Sequence, residues 1–187
     1  MVVCTRRLAL KLIMALPVSG CMADDLPLLP TQYKADYEFG PGDQIRVIVF
    51  DEKQLSHEYR VDAGGMIDMP LVGGIRAAGY TAIDLARLIA RKLQSDQLIL
   101  KPSVAVEIVE YRPFYILGEV NKPGPYPYQP GMTVLSAVSI AGGFTYRAVQ
   151  AYVGVTRAVD GPPRVWRAAA AAQVKPGDVI TVFERHF

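Results

Sequence analysis

Pro41-Gly42-Asp43-Gln44-Ile45-Arg46-Val47-Ile48-Val49-Phe50, and near the other end of the chain Pro176-Gly177-Asp178-Val179-Ile180-Thr181-Val182-Phe183, decide the architecture. Both place Pro-Gly-Asp before a run rich in β-branched residues. Proline presets the first turn angle, glycine accepts the next, and the aspartate bonds nearby backbone amides. The β-branched runs read as strands. The echo identifies two strand starts and does not by itself prove common descent.

After the first of these strands, Tyr59-Arg60-Val61-Asp62 leads to a turn at Gly64-Gly65, and Met66 to Leu71 is a short strand. Thr81 caps the clearest helix, with Asp84 placed like the acid of a capping box. Leu85, Leu88, Ile89 and Leu93 then recur on one face. Arg87, Arg91 and Lys92 lie elsewhere around it, the later two where cations suit the helix dipole. In Ser103 to Tyr111, Val104, Val106 and Ile108 share one face of a strand.

A second unit starts at Arg112. Phe114 to Gly118 reads as a strand, Asn121-Lys122-Pro123-Gly124 as a turn, and Thr133 as the cap of a helix bearing Val134, Leu135, Val138 and Ala141. Gly142-Gly143 stops that helix. Tyr152 to Arg157 is a strand, residues 160–163 form a hairpin turn, Val165-Trp166 begin another strand, and the alanine run 168–172 reads as a helical turn. The fold class is α+β, in two small units with about one amphipathic helix each.

The sequence has 187 residues, 51% hydrophobic and 20% charged, which suits a packed body. No apolar run reaches the roughly 18–20 residues of a membrane-spanning helix. The net charge of +2 is concentrated at the start: Arg6, Arg7 and Lys11 fall in residues 1–20 with no acid, and the remainder is nearly neutral. The basic face of a nucleic-acid binder does not show in the linear sequence.

Arg6-Arg7, the apolar run Leu12 to Val18, then Ser19 and Gly20 follow the order of a secretory signal. The alternative is a buried first helix. The lack of acid and the loop-like stretch that follows favour the signal. Val18-Ser19-Gly20-Cys21 resembles the lipobox of bacterial lipoproteins. That resemblance implies a diacylglyceryl thioether on Cys21, with Met22 directing the chain to the outer membrane. Cys4 would leave with the signal. Residues 1–20 are then a signal peptide, 21–32 an exposed tether rich in Asp and Pro, 33–111 the first unit and 112–187 the second.

The chemistry is sparse. His57 and His186 are the only histidines, both in loop-like or terminal contexts, and a mature body without thiols has no zinc ligand set of the usual Cys/His type. No nucleophile elbow or phosphate-binding loop is present. Gly73-Gly74 reads as a turn. Asp51-Glu52 and Asp62 are carboxylates of the kind glycosidases pair at a set separation, but surface acids are too common to carry that reading. The reading is of a non-enzyme, with no catalytic residue, no metal and no cofactor. Among the 10 tyrosines, Tyr126 and Tyr128, separated by Pro127, are the candidates for stacking on a sugar ring, while Tyr115 reads as core.

The run Tyr37-Glu38-Phe39-Gly40-Pro41-Gly42-Asp43-Gln44-Ile45-Arg46-Val47 resembles the opening of the export domain in Wza-like outer-membrane polysaccharide export (OPX) proteins. So do Tyr59 to Asp62, Ile67 to Gly73, and Ala78-Gly79-Tyr80-Thr81. Tyr115 to Val120, Lys122-Pro123-Gly124, and Thr133 to Gly143 resemble the soluble-ligand-binding β-grasp (SLBB) domain, and Pro176 to Ile180 fits the family ending. The pieces occur in the family's order across nearly everything after Tyr33. Ala63-Gly64-Gly65 departs from it, at a turn expected to be more acidic.

The resemblance implies a homo-oligomeric ring or adaptor for exopolysaccharide or capsule passage, lipid-anchored at the periplasmic face of the outer membrane. It implies an inner-membrane polysaccharide co-polymerase as partner. Because the sequence stops at Phe187 after the last strand, the expectation is a short form with one domain of each kind and a separate outer-membrane pore protein. The alternative is a non-conducting β-grasp module that senses or retains a glycan and regulates its synthesis.

Overall fold

The computed structural model describes residues 26–30, 36–159 and 161–185. The signal region 1–20, Cys21, most of the stretch read as a tether, and His186 lie outside the described residues.

The first Pro-Gly-Asp turn launches β1 (Gln44–Val49), which pairs antiparallel with β2 (His57–Arg60) on one side. Its Ile45, Val47 and Val49 alternate inward and are buried. A hairpin of β3 (Met66–Met69) and β4 (Gly73–Arg76) follows. Gly73 and Gly74, read as a turn, are therefore strand residues, and His57 opens β2 instead of lying in a loop. Cross-strand pairing, which single residues do not announce, holds both. The hairpin tip is at Pro70-Leu71, where Leu71 takes a left-handed φ of 66°.

Helix α1 (Ala82–Ser95) starts where the cap predicts. The Thr81 hydroxyl accepts from the Asp84 N–H at 3.2 Å and donates to the Asp84 carboxylate at 2.9 Å. Leu85, Ile89 and Leu93 are buried and pack with the inner faces of β1 and of β5 (Val104–Glu110). Strand β5 takes the other side of β1, giving a three-stranded sheet ordered β2-β1-β5. Buried residues from Phe39 to Val106 form one core.

After a three-residue connection, Tyr111-Arg112-Pro113, the chain begins β6 (Phe114–Gly118), then β7 (Gly124–Tyr126) and α2 (Val134–Ile140). Thr133 and Ser136 cap α2 reciprocally: each side chain accepts from the other's backbone N–H, at 2.9 and 3.3 Å. The carbonyls of Ala172 and Ala170 accept from the Val134 and Leu135 N–H groups at 2.8 and 3.0 Å. Those alanines were expected in a helical turn. Instead Ala168 ends β9 (Arg164–Ala168), and the rest bend through a tight turn closed by the Ala172 N–H on the Ala169 carbonyl. Ala has high helix propensity, but the run is too short to nucleate a helix against this packing.

Strands β8 (Val153–Arg157) and β9 form an antiparallel hairpin. The last strand, β10 (Val179–Val182), slots between β6, in parallel, and β8. The five-stranded order is β7-β6-β10-β8-β9, over a second core from Phe114 to Val182. The fold is α+β, with two helices and two main sheets among the described residues. Thr133→Ala removes the α2 cap and is expected to cost about 1 kcal/mol, read as a lowered urea midpoint.

Candidate functional site

The two Pro-Gly-Asp turns share one geometry. In each, the aspartate N–H donates to the carbonyl three residues back, Asp43 to Gly40 at 3.2 Å and Asp178 to Lys175 at 3.1 Å. The central glycines, Gly42 and Gly177, take φ of 95° and 84°, which favours glycine over any other residue. Each carboxylate turns back to accept the N–H of the turn's first residue, Gly40 on Asp43 at 2.8 Å and Lys175 on Asp178 at 2.7 Å.

Asp43 and Asp178 are also the buried charged residues among those described. A buried carboxylate needs a partner, and each has an arginine from far along the chain. Arg157, at the end of β8, holds Asp178 through Nε at 2.8 Å and through Nη2, while Nη2 also donates to the Gln173 carbonyl at 2.9 Å. Arg112 holds Asp43 twice. Its backbone N–H donates to one carboxylate oxygen at 2.8 Å, and its Nη1 donates to the other at 3.0 Å.

Arg112 does more than pair. It sits on the short connection between the two cores, and its Nε donates to the Pro176 carbonyl at 3.2 Å. The Gly177 N–H donates to the Pro113 carbonyl at 3.1 Å. One guanidinium therefore spans the first Pro-Gly-Asp turn and the second. It passes close to glycine: a β-carbon on Gly40 would lie 2.1 Å from Arg112 Nη1, and one on Gly177 would lie 2.8 Å from Nε. We call this arrangement the clasp.

Aromatic rings continue the junction. Tyr37 meets Phe39 edge-on at 6.2 Å and Tyr111 at 5.0 Å, and Tyr111 meets Tyr128 at 5.2 Å. Edge-to-face contacts of this kind contribute about 0.5–1.5 kcal/mol each. The Tyr37 hydroxyl donates to Asp43 at 2.6 Å and accepts from Arg112 at 3.1 Å. Burial, then the bond to the Asp43 carboxylate, pushes its pKa above the ordinary tyrosine range, so it stays a neutral donor.

Beside the clasp opens a cleft of about 800 Å³, lined by residues of both cores, among them Tyr37, Arg112, Tyr128, Arg157, Lys175 and Asp178. Burial and the neighbouring Tyr111 raise the Tyr128 pKa. Burial and repulsion from Arg157 lower that of Lys175, against the pull of Asp178 and Glu38. The cleft thus carries both signs of charge, and its two guanidiniums are committed to Asp43 and Asp178. Tyrosine rings and hydroxyls, an ammonium and backbone polar groups suit a hydroxyl-rich ligand held by stacking and hydrogen bonds.

The two tyrosines singled out from sequence separate here. Tyr128 faces the cleft. Tyr126 lies on β7, tilted on Phe114 at 6.0 Å, with its hydroxyl donating to the Lys122 carbonyl at 2.5 Å. Tyr115 is 43% exposed and not core, because it alternates outward on β6 between buried Phe114 and Ile116. Sequence reasoning missed Arg112, Arg157 and Tyr37. The repeated Pro-Gly-Asp was the available signal, since two turn aspartates entering a core demand two cations.

Residues 31–109 match the family model described as polysaccharide biosynthesis/export protein, and residues 113–166 match the SLBB domain. The exopolysaccharide production protein ExoF of Rhizobium meliloti (strain 1021) is 39% identical over 155 residues, covering 76% of this chain and 34% of that protein. The EPS I polysaccharide export outer membrane protein EpsA of Ralstonia solanacearum is 28% identical over 133 residues, covering 57% of this chain and 35% of the relative. The chain spans about a third of the length of these curated relatives.

Proposed function

The chain belongs to the polysaccharide biosynthesis/export protein family, and from that membership we propose that it is a non-catalytic component of an exopolysaccharide or capsule export machine. The observation that carries the reading is the clasp. An export domain and an SLBB domain, in family order, are joined by Arg112 across two matching turns into one body. A wall built from copies of such a body keeps its shape while polymer moves past it.

In this proposal the domains divide at 111/112, and copies assemble as a ring or adaptor at the periplasmic face of the outer membrane. The diacylglyceryl group on Cys21 anchors each copy. One acyl chain binds membranes only marginally, and the several chains of a lipoprotein, with avidity within a ring, meet that need. The partners are the polysaccharide, an inner-membrane polysaccharide co-polymerase and a separate outer-membrane pore protein. Tyr128 contacts the glycan; Tyr126 holds the β6–β7 turn.

The cleft favours one second reading, a glycan-binding module that regulates synthesis without conducting polymer. Gene deletion separates the two. An export component leaves the cell surface bare, with polymer trapped in the periplasm. A regulator alters the amount or length of polymer and spares secretion. Cys21→Ser is expected to move the protein from the membrane fraction to the soluble periplasm, as followed by immunoblot of cell fractions.

A further inference from the structure

Residues 27–29 precede the first unit in the chain but pair with the second. The Arg167 N–H donates to the Pro27 carbonyl at 2.7 Å, and the Arg167 carbonyl accepts the Leu29 N–H at 2.8 Å, in parallel register centred on Leu28 and Arg167. Leu29 packs on the second core, and the Arg167 guanidinium lies over the Tyr152 ring at 4.0 Å. Strand β9 is otherwise the edge of its sheet, with main-chain groups open to another chain. The strap closes that edge in cis by strand addition. Pro27 is suited to it, because the pairing uses its carbonyl and the N–H it lacks is not needed.

We infer that this strap makes the β9 edge the membrane-proximal side of the molecule. The inference rests on the proposed anchor at Cys21. Pro27 is six positions on from Cys21, a reach of at most about 20 Å fully extended. Were the leader first fixed at Asp36, fifteen positions on from Cys21, the chain would reach about 50 Å, and no face would be favoured. The strap shortens the leash, and the clasp passes the resulting orientation to the first unit. Strand β1 runs away from the clasp for six residues, or about 20 Å, which sets the exposed turn at Lys53 about that far from the clasp.

The test uses the lipidated protein in phospholipid vesicles carrying a nitroxide-headgroup lipid. A fluorophore is placed on Arg164→Cys at the start of β9 or on Lys53→Cys. In the mature chain the introduced cysteine is the one free thiol, since Cys4 leaves with the signal and the Cys21 sulfur is in the thioether. The label at 164 is expected to be quenched several-fold more than the label at 53. Leu29→Asp, which puts a charge where the strap packs on the second core, should abolish that difference. Equal quenching with the strap intact, or a contrast that survives Leu29→Asp, overturns the inference. Vesicle flotation of Cys21→Ser separates the causes. If that variant still floats with vesicles, the anchor reading fails and the orientation falls with it. If it stays behind while the two labels quench equally, the strap assignment alone is wrong.

Discussion

Arg112→Ala is expected to destabilise the chain by about 3 kcal/mol, because it leaves a buried carboxylate without its ion partner. Asp43 is fully buried, whereas the Arg112 side chain is 28% exposed. The loss falls at the lower end of the range for broken buried pairs. Asp43 keeps the Gly40 N–H, the Tyr37 hydroxyl and the backbone N–H of residue 112 as donors. The larger consequence is mechanical: the contact from Nε to the Pro176 carbonyl disappears with the side chain. Arg112→Lys should behave as an intermediate. A lysine restores the charge, but its single ammonium lacks the planar fork that reaches Asp43, Tyr37 and Pro176 together. The double variant Asp43→Asn, Arg112→Met removes both charges and should recover part of the loss, which a double-mutant cycle in urea measures.

Asp178→Ala should cost more, about 4 kcal/mol, because here the cation is the group left buried. The Arg157 side chain is only 10% exposed, and without Asp178 it keeps the Gln173 carbonyl as its recorded side-chain partner. The same substitution leaves the Lys175 N–H without its acceptor, so the turn feeding β10 loosens. Strand β10 lies between β6 and β8, and disturbing its start disturbs the middle of the second sheet. Unfolding of this variant should therefore split into two steps, the second core melting first, where the parent melts in one. Asp178→Asn keeps an acceptor for the Lys175 N–H and should fall between. An unchanged single transition for Asp178→Ala would contradict the role given to the turn.

Much of this was legible in the chain. Thr81 and Thr133 marked their helices because a hydroxyl beside free N–H groups is a local device. The alternation in Val104 to Glu110 marked β5 because strand period is local too. What was not legible depends on partners far away in sequence. Gly73 and Gly74 enter a strand because Met69 and Asp68 face them. The alanines at 170 and 172 serve α2 with their carbonyls, which composition does not reveal. Asp43 and Asp178 were recognised as turn residues that bond local amides. That Arg112, 69 residues on from Asp43, and Arg157 would complete them required the fold. Strand period would put both candidate tyrosines on one face; that Tyr128, and not Tyr126, reaches the cleft depends on the path the chain takes after β7 ends at Tyr126.

The clasp must hold the two units in one orientation, since a wall for passing polymer needs fixed parts. The direct test is the distance between spin labels on Arg91→Cys in α1 and Ser139→Cys in α2, with Cys4 and Cys21 replaced by serine. One narrow distance distribution is expected for the chain with Arg112 and a broad one for Arg112→Ala. A distribution already broad with Arg112 present, or one left narrow by its removal, would contradict the role given to the clasp.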